Sequence, residues 1–304
     1  MAKVEKVDEY KMFAGCTIGN RIPFIEASSR KVFDELGIKT SDAAFACCPD
    51  PVGFHAVDHT SWLTMGARNL TLAEDEGKDI ISLCNGCFQT LKLVNSELID
   101  SDHERKKINE ILSKVGREFK GSIKVKHFVE VLYDYGPEKI KEFVTHDFSG
   151  LKIACHTGCH YNRPSEIIQT DDPMEPVKLR ELVAASGATP VPYEEEFVCC
   201  GTGVGNTEPE IGNQMLANKL SSAIKAGADA FVAICPACFQ QLDTNQKKAG
   251  AQSNNTFNIP ILYLTELYAL AFGFNPDDLG LKFHRARLTG FLEKFGLKEP
   301  KKAK

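Results

Sequence analysis

The chain has 304 residues, of which 43% are hydrophobic and 25% charged, and carries a formal net charge of -5. That length accommodates two ordinary domains, each with its own core; the composition excludes a disordered or fibrous protein, and the charge gives no general signal for nucleic acid. Lys3, Glu5, Lys6 and Asp8 stand where a signal peptide needs its apolar segment, so the chain is expected in the cytoplasm, where cysteines stay thiols unless a metal claims them.

Met12 to Ala14 is a short apolar run leading to Cys16, and Ile25, Val32, Phe33 and Leu36 then mark a helix that Gly37 stops. Ala43 to Ala46 leads into Cys47-Cys48-Pro49, where proline bars a simple central strand. A helix is predicted over Asp58 to Glu76 with Trp62 in the core, closed by Gly77. Ile80 to Leu83 reads as a buried strand delivering Cys84-Asn85-Gly86-Cys87, and Phe88 to Leu98 as the helix that leaves it. Residues 101 to 126 are charged with weak helical spacing, and Phe128 to Tyr135 gives a short apolar helix.

After Ser149-Gly150 the order repeats: a strand over Leu151 to Ala154, a helix over Val177 to Ala185, and a short strand near Thr189 to Val191. Cys199-Cys200-Gly201, a helix from Pro209 to Ala226, a strand over Phe231 to Ile234 and Cys235-Pro236-Ala237-Cys238 follow. The run from Ile259 to Phe274 is too short and polar for a membrane span. The expected fold class is therefore α/β, two duplicated cysteine-rich α/β domains with mainly parallel sheets. The expected boundaries are 1–149, 150–275 and a basic tail, 276–304, either solvated or a docking segment.

Ten of the eleven cysteines fall into the repeat, with thirty residues between Cys16 and Cys47 and thirty-five between Cys48 and Cys84, against thirty-nine and thirty-four in the second copy. Such regularity points to a duplicated metal site. A structural zinc takes four ligands and has no redox chemistry, so a fifth cysteine would have no place on it. Iron-sulfur clusters also bind thiolates and carry electrons, and an adjacent pair suggests a cluster of irregular shape or a thiolate-bridged iron pair. The count favours iron and sulfide, with zinc as the alternative.

Gly15-Cys16 precedes Asn20-Arg21 much as Gly158-Cys159 precedes Asn162-Arg163. Cys159 is therefore the counterpart of Cys16, and Cys155 is the extra thiol, read as a core residue. His156 reads as a hydrogen-bonded loop histidine. His160 is the catalytic candidate, able to donate to a sulfur or protonate a departing thiolate, and His55 and His59 have a weaker claim of the same kind.

The duplicated motif resembles the CCG cysteine-rich domain family, with Cys47-Cys48-Pro49 in place of the naming triplet in the first copy and Cys199-Cys200-Gly201 in the second. Within it the chain resembles the B-type subunits of the CoB-CoM heterodisulfide reductases of methanogens. The resemblance implies two non-cubane [4Fe-4S] clusters, one on Cys16, Cys47, Cys48, Cys84 and Cys87, the other on Cys159, Cys199, Cys200, Cys235 and Cys238. It implies cleavage of the CoB-CoM disulfide between them. It also implies partners in two further heterodisulfide reductase subunits, one flavin-carrying and one ferredoxin-like, with a hydrogenase or formate dehydrogenase upstream. Arg21, Arg163 and Lys92 are candidates for the anionic ends of such a substrate. Pro49 alters the turn more than the ligands. Neither a ferredoxin-type CxxCxxCxxxCP run nor a glycine-rich dinucleotide fingerprint is present, so electrons are expected from other subunits. The alternatives are a CCG subunit of a lactate-, glycolate- or glycerol-phosphate-oxidising complex or of a thiol-driven fumarate reductase, and a zinc-binding scaffold.

Overall fold

A computed structural model describes residues 9–297. Eight short strands form two four-stranded sheets, all of whose pairs are parallel. The first holds β1 (Glu9–Phe13), β2 (Lys39–Ser41), β3 (Asp79–Ser82) and β4 (Val125–His127) in the order β2-β1-β3-β4. The second holds β5 (Lys152–His156), β6 (Thr189–Pro190), β7 (Ala230–Ala233) and β8 (Ile261–Tyr263) in the order β6-β5-β7-β8.

Apolar residues populate both faces of the inner strands, as in a parallel sheet covered on two sides. In β1, Tyr10 and Met12 join a core that runs through both halves, while Phe13 joins a separate cluster with Trp62, Leu70 and Phe88. The helix His59–Glu74 starts where Asp58 accepts the Ser61 N–H at 3.0 Å, a side-chain cap for a donor with no partner in the helix.

The halves interlock through exchanged helices. Phe24–Glu35 of the first half packs on Leu264–Ala271 of the second, and Lys178–Ala185 of the second packs on Phe128–Tyr135 of the first. Ser28 and Ser29 of the first half meet Thr265 of the second at 3.2 and 3.0 Å.

Several elements differ from expectation. β2 and β4 are three-residue strands in stretches with no strand-like pattern, and the apolar run from Ile259 divides into β8 and the helix Leu264–Ala271, wholly buried. The segment after Pro276, expected as a tail, is not solvated over its described part. Leu279, Leu281, Leu288, Phe291 and Leu292 are buried in the shared core, and Asp243 accepts the Arg285 and Ala286 N–H groups at 2.8 and 2.9 Å. Among the described residues no helix is long and apolar enough to cross a membrane.

Candidate metal centre

In an open parallel sheet, ligands gather beyond the carboxyl ends of the strands, where the strand order reverses. Here the reversal lies between β1 and β3 and between β5 and β7. Cys16 and Cys84 follow the first pair, Cys159 and Cys235 the second. The CxxC turns open helices: Cys84 caps Asn85–Asp100 and Cys235 caps Pro236–Thr244, so Cys87 and Cys238 sit in the first turns. The helices begin inside the motifs, earlier than the predicted Phe88. Free N–H groups and the helix dipole favour thiolate charge at such a start.

The duplication extends to atomic detail. Gly15 and Gly158 both have φ of 78°, and a Cβ on them would lie 2.8 Å from Cys87 Sγ and 3.6 Å from Cys238 Sγ respectively. Gly15 thus lets the chain before Cys16 pass over the second cysteine of the same half's CxxC turn, whereas at Gly158 the close neighbour is Asn85 Nδ2 of the first half, 2.8 Å from where a Cβ would stand. Cys200 Sγ lies 3.3 Å from Cys238 Sγ. Cys84 of the first half packs against the group Cys200, Cys235 and Cys238 of the second, so the two cysteine sets meet at the midline. Tyr263 fixes that meeting: its hydroxyl, fully buried, lies against the carbonyls of Leu83 and of Ile234, the latter at 2.7 Å. These are the residues just before Cys84 and Cys235.

The neighbouring thiols divide their protons unequally: hydrogen bonds between them pull Cys48, Cys199 and Cys235 toward the thiolate and push Cys47, Cys84, Cys87, Cys159, Cys200 and Cys238 toward the thiol. Hydrogen bonds from Cys47 and Cys87 bring the Cys48 thiol down to about 4, and those from Cys159 and Cys200 bring Cys199 down to about 2. The described cysteines are free thiols, with none in a disulfide. Soft, convergent sulfur donors fit a thiolate-bound metal centre, and five in each half exceed the four positions of one tetrahedral zinc.

Residues 10–92 and 153–243 both match the CCG cysteine-rich domain family. The B-type subunit of ferredoxin:CoB-CoM heterodisulfide reductase from Methanosarcina mazei is 36% identical over 292 residues, covering 95% of this chain and 97% of the relative. The chain belongs to this family of heterodisulfide reductase subunits. A second B-type relative, from the ferredoxin/F420H2-dependent CoB-CoM heterodisulfide reductase of Methanosarcina acetivorans, is 37% identical over 93% of this chain and 95% of its own. The 8-methylmenaquinol:fumarate reductase membrane anchor subunit of Wolinella succinogenes is 29% identical over 90% and 95%. A crystal structure of a hypothetical protein from Helicobacter pylori shares the fold, with a TM-score of 0.75 at 18% identity, over 94% of this chain and 53% of its own.

Against this heterodisulfide reductase scaffold the other predicted residues separate. Cys155 is buried on β5 within the shared core, and burial pushes its thiol up. His160 is half-buried in the turn after Cys159. His156 is not in a loop and has no hydrogen bond: it ends β5, is buried, and neither ring nitrogen has a partner among the described residues. Its ring groups with Cys200 and Cys238, all donor atoms lying within 4.8 Å of one another. His59 instead stacks on Trp62 and pairs with Glu97 at 3.1 Å, and His55 also packs on Trp62. Arg163 is exposed and lines a small space with Cys159. Lys92 donates to the Ile168 carbonyl at 2.5 Å, a structural contact, and Arg21 ends the helix Gly15–Arg21. Sequence reading passed over Arg30, which lines a cavity of about 400 Å³ with Cys16 and Cys47 and pairs with Glu26 and Asp42. Its position two turns beyond the Cys16 loop on a helix was the available signal.

Proposed function

We propose that this chain is the subunit on which CoB-CoM heterodisulfide is reduced to its two thiols in the cytoplasm. Each half, 1–149 and 150–275, holds one non-cubane [4Fe-4S] cluster. Cys16, Cys47, Cys48, Cys84 and Cys87 hold the first, and Cys159, Cys199, Cys200, Cys235 and Cys238 the second. When bound, each cluster supplies one electron and a binding position for one sulfur. The observation that carries this reading is the packing of Cys84 against Cys200, Cys235 and Cys238, because a single disulfide needs two one-electron sites side by side.

The chain's own residues do the rest. Cys16 and Cys47 are exposed and line the open cavity, giving a substrate a way in. Arg163, exposed beside Cys159, binds an anionic end of the substrate by charge-assisted hydrogen bonds. His160 holds a proton at an imidazole nitrogen and delivers it to a departing thiolate. Electrons arrive through a ferredoxin-like partner protein and a flavin-carrying one, fed by hydrogenase or formate dehydrogenase.

Iron and acid-labile sulfide are to be counted on anaerobically purified protein, then disulfide reduction by the assembled complex measured with a reduced dye. About eight irons and turnover are expected, from two four-iron clusters; colourless protein containing only zinc would sink the reading. The Wolinella relative favours a second reading, a subunit of a quinol-coupled fumarate reductase. Turnover with a menaquinol and fumarate, and none with the disulfide, would replace the first by the second.

A further inference from the structure

The two cysteine sites share a scaffold but not their neighbours. Phe13 and His156 are the last residues of β1 and β5 and stand opposite Ser82 and Ala233, so they are structural counterparts. Counting from the caps Asp58 and Glu208 along the helices His59–Glu74 and Pro209–Lys225 pairs Asn69 with Lys219. The first site therefore has a phenyl ring and a neutral amide where the second has an imidazole and an ammonium.

Asn69 and Lys219 do the same structural work. Asn69 accepts from the Ala46 N–H at 2.9 Å and donates to the Cys47 carbonyl at 3.0 Å, tethering the loop into the first cysteine pair. Lys219, fully buried, donates to the carbonyls of Glu195 and Glu196, tethering the loop into the second. Since an amide suffices for the tether in one half, the charge in the other has a different use. No carboxylate lies within ion-pair distance of Lys219 among the described residues; burial lowers its pKa to about 8 while Cys200, Cys238, Glu195 and Cys199 favour the charged form, and its ammonium lies over the Tyr193 ring at 5.3 Å. A buried ammonium needs negative charge nearby, and a metal group held on the second cysteine set would provide it. His156 adds one N–H, as any neutral imidazole has, on a ring whose donor atom lies within 4.8 Å of the Cys200 and Cys238 sulfurs and makes no hydrogen bond among the described residues.

We infer that Lys219 and His156 make the second half's site the stronger electron acceptor, so that the group on Cys159, Cys199, Cys200, Cys235 and Cys238 takes up its electron at a higher potential than that on Cys16, Cys47, Cys48, Cys84 and Cys87. This rests on the two-cluster reading above. Net charge and hydrogen bonds to sulfur are the levers that set such potentials. The second site's greater burial opposes added negative charge, but the same burial removes the water that would screen Lys219, so the cation's influence grows with it.

The test is a potentiometric titration of the cluster-loaded full chain followed by paramagnetic resonance, with iron and sulfide counted in every variant and Cys48→Ser assigning the first site's signal. Two separate waves are expected, the second site's at the higher potential. Lys219→Asn, which copies the first half, lowers the second site's electron affinity at least tenfold, ~59 mV for one electron, and leaves the first wave in place. His156→Phe shifts the same wave the same way by less, and carries the test if Lys219→Asn does not fold. Coincident waves in the unaltered chain, or equal shifts of both, overturn this inference while leaving the two-cluster reading intact. A chain without iron overturns both.

Discussion

In the first half Cys16 and Cys47 are exposed at a cavity of about 400 Å³, whereas in the second Cys159 and Cys199 are half-buried, with a space of only about 10 Å³ beside Cys159. The sheets do not cause this difference; the connections do. After Cys159 the chain makes a detour through Arg163 to Pro176, pinned where Asp171 accepts the Val177 and Lys178 N–H groups at 3.0 and 2.8 Å, and it covers the site. The first half has no such detour: Ile22 and Pro23 run directly into the helix Phe24–Glu35. A duplicated scaffold thus fixes where the thiols point, and loop length decides which set meets solvent.

The adjacent pairs differ as well. Gly201 has φ of 87°, and a Cβ there would fall 2.7 Å from the Gly212 carbonyl, so the second turn lies directly on the helix Pro209–Lys225. In the first half the residue four positions after the cap is Trp62 rather than Gly212, and the turn carries Pro49 instead of glycine.

The largest expected effect tests whether the halves serve separate metal groups. Cys48→Ser and Cys200→Ser each remove one half's paramagnetic signal, about half the iron, and at least a hundredfold of disulfide turnover; retention of both signals would undo the ligand assignment. Next, His284→Ala leaves Glu266 buried with only the Tyr263 N–H at 2.8 Å in place of an ion pair, where the two are 3.0 Å apart and almost fully buried, and costs about 3 kcal/mol in denaturant unfolding. A loss confined to the surface range would show that the pair does not latch the C-terminal segment.

The same pair gives a pH dependence. Burial alone would lower the His284 pKa, but the charge and hydrogen bond of Glu266 and the charge of Asp243 raise it above 6.5. Its stabilising contribution is therefore complete below pH 6.5 and lost as pH rises through the higher native value. Thermal melts of the unaltered chain and of His284→Gln across that window should converge on the alkaline side. Smaller still is a paired substitution at the two turns. Gly201→Ala is strained and destabilises by more than about 1 kcal/mol, with weaker metal loading in the second half, while Pro49→Gly stays within about 1 kcal/mol. Equal effects would mean that the turns are alike after all.

The repeat was legible because cysteine spacing survives any loop change, and the long helices because their apolar periodicity is set by burial of one face. β2 and β4 were not, since three residues are too few to show an alternation. Nor was the role of Tyr263: within an apolar run a tyrosine reads as core, and only the folded chain brings Leu83 and Ile234 to one hydroxyl. His156 was misjudged for a related reason. The strand over Leu151 to Ala154 was expected to end before it, whereas pairing with β7 carries β5 two residues further. The meeting of Cys84 with the second cysteine set depends on the exchanged helices, a contact between distant segments that no local pattern encodes.

That exchange is reciprocal: the helix after β1 covers the helix after β8, and the helix after β5 covers the helix after β4. This is the contact rule of a twofold homodimer, in which each patch is matched by its own copy. The chain thus bears the mark of an ancestral pair of identical subunits joined end to end, after which each copy was free to diverge around its own cysteines. Neither half retains a complete core alone, so fusion made permanent an association that a separate dimer would have had to form by collision.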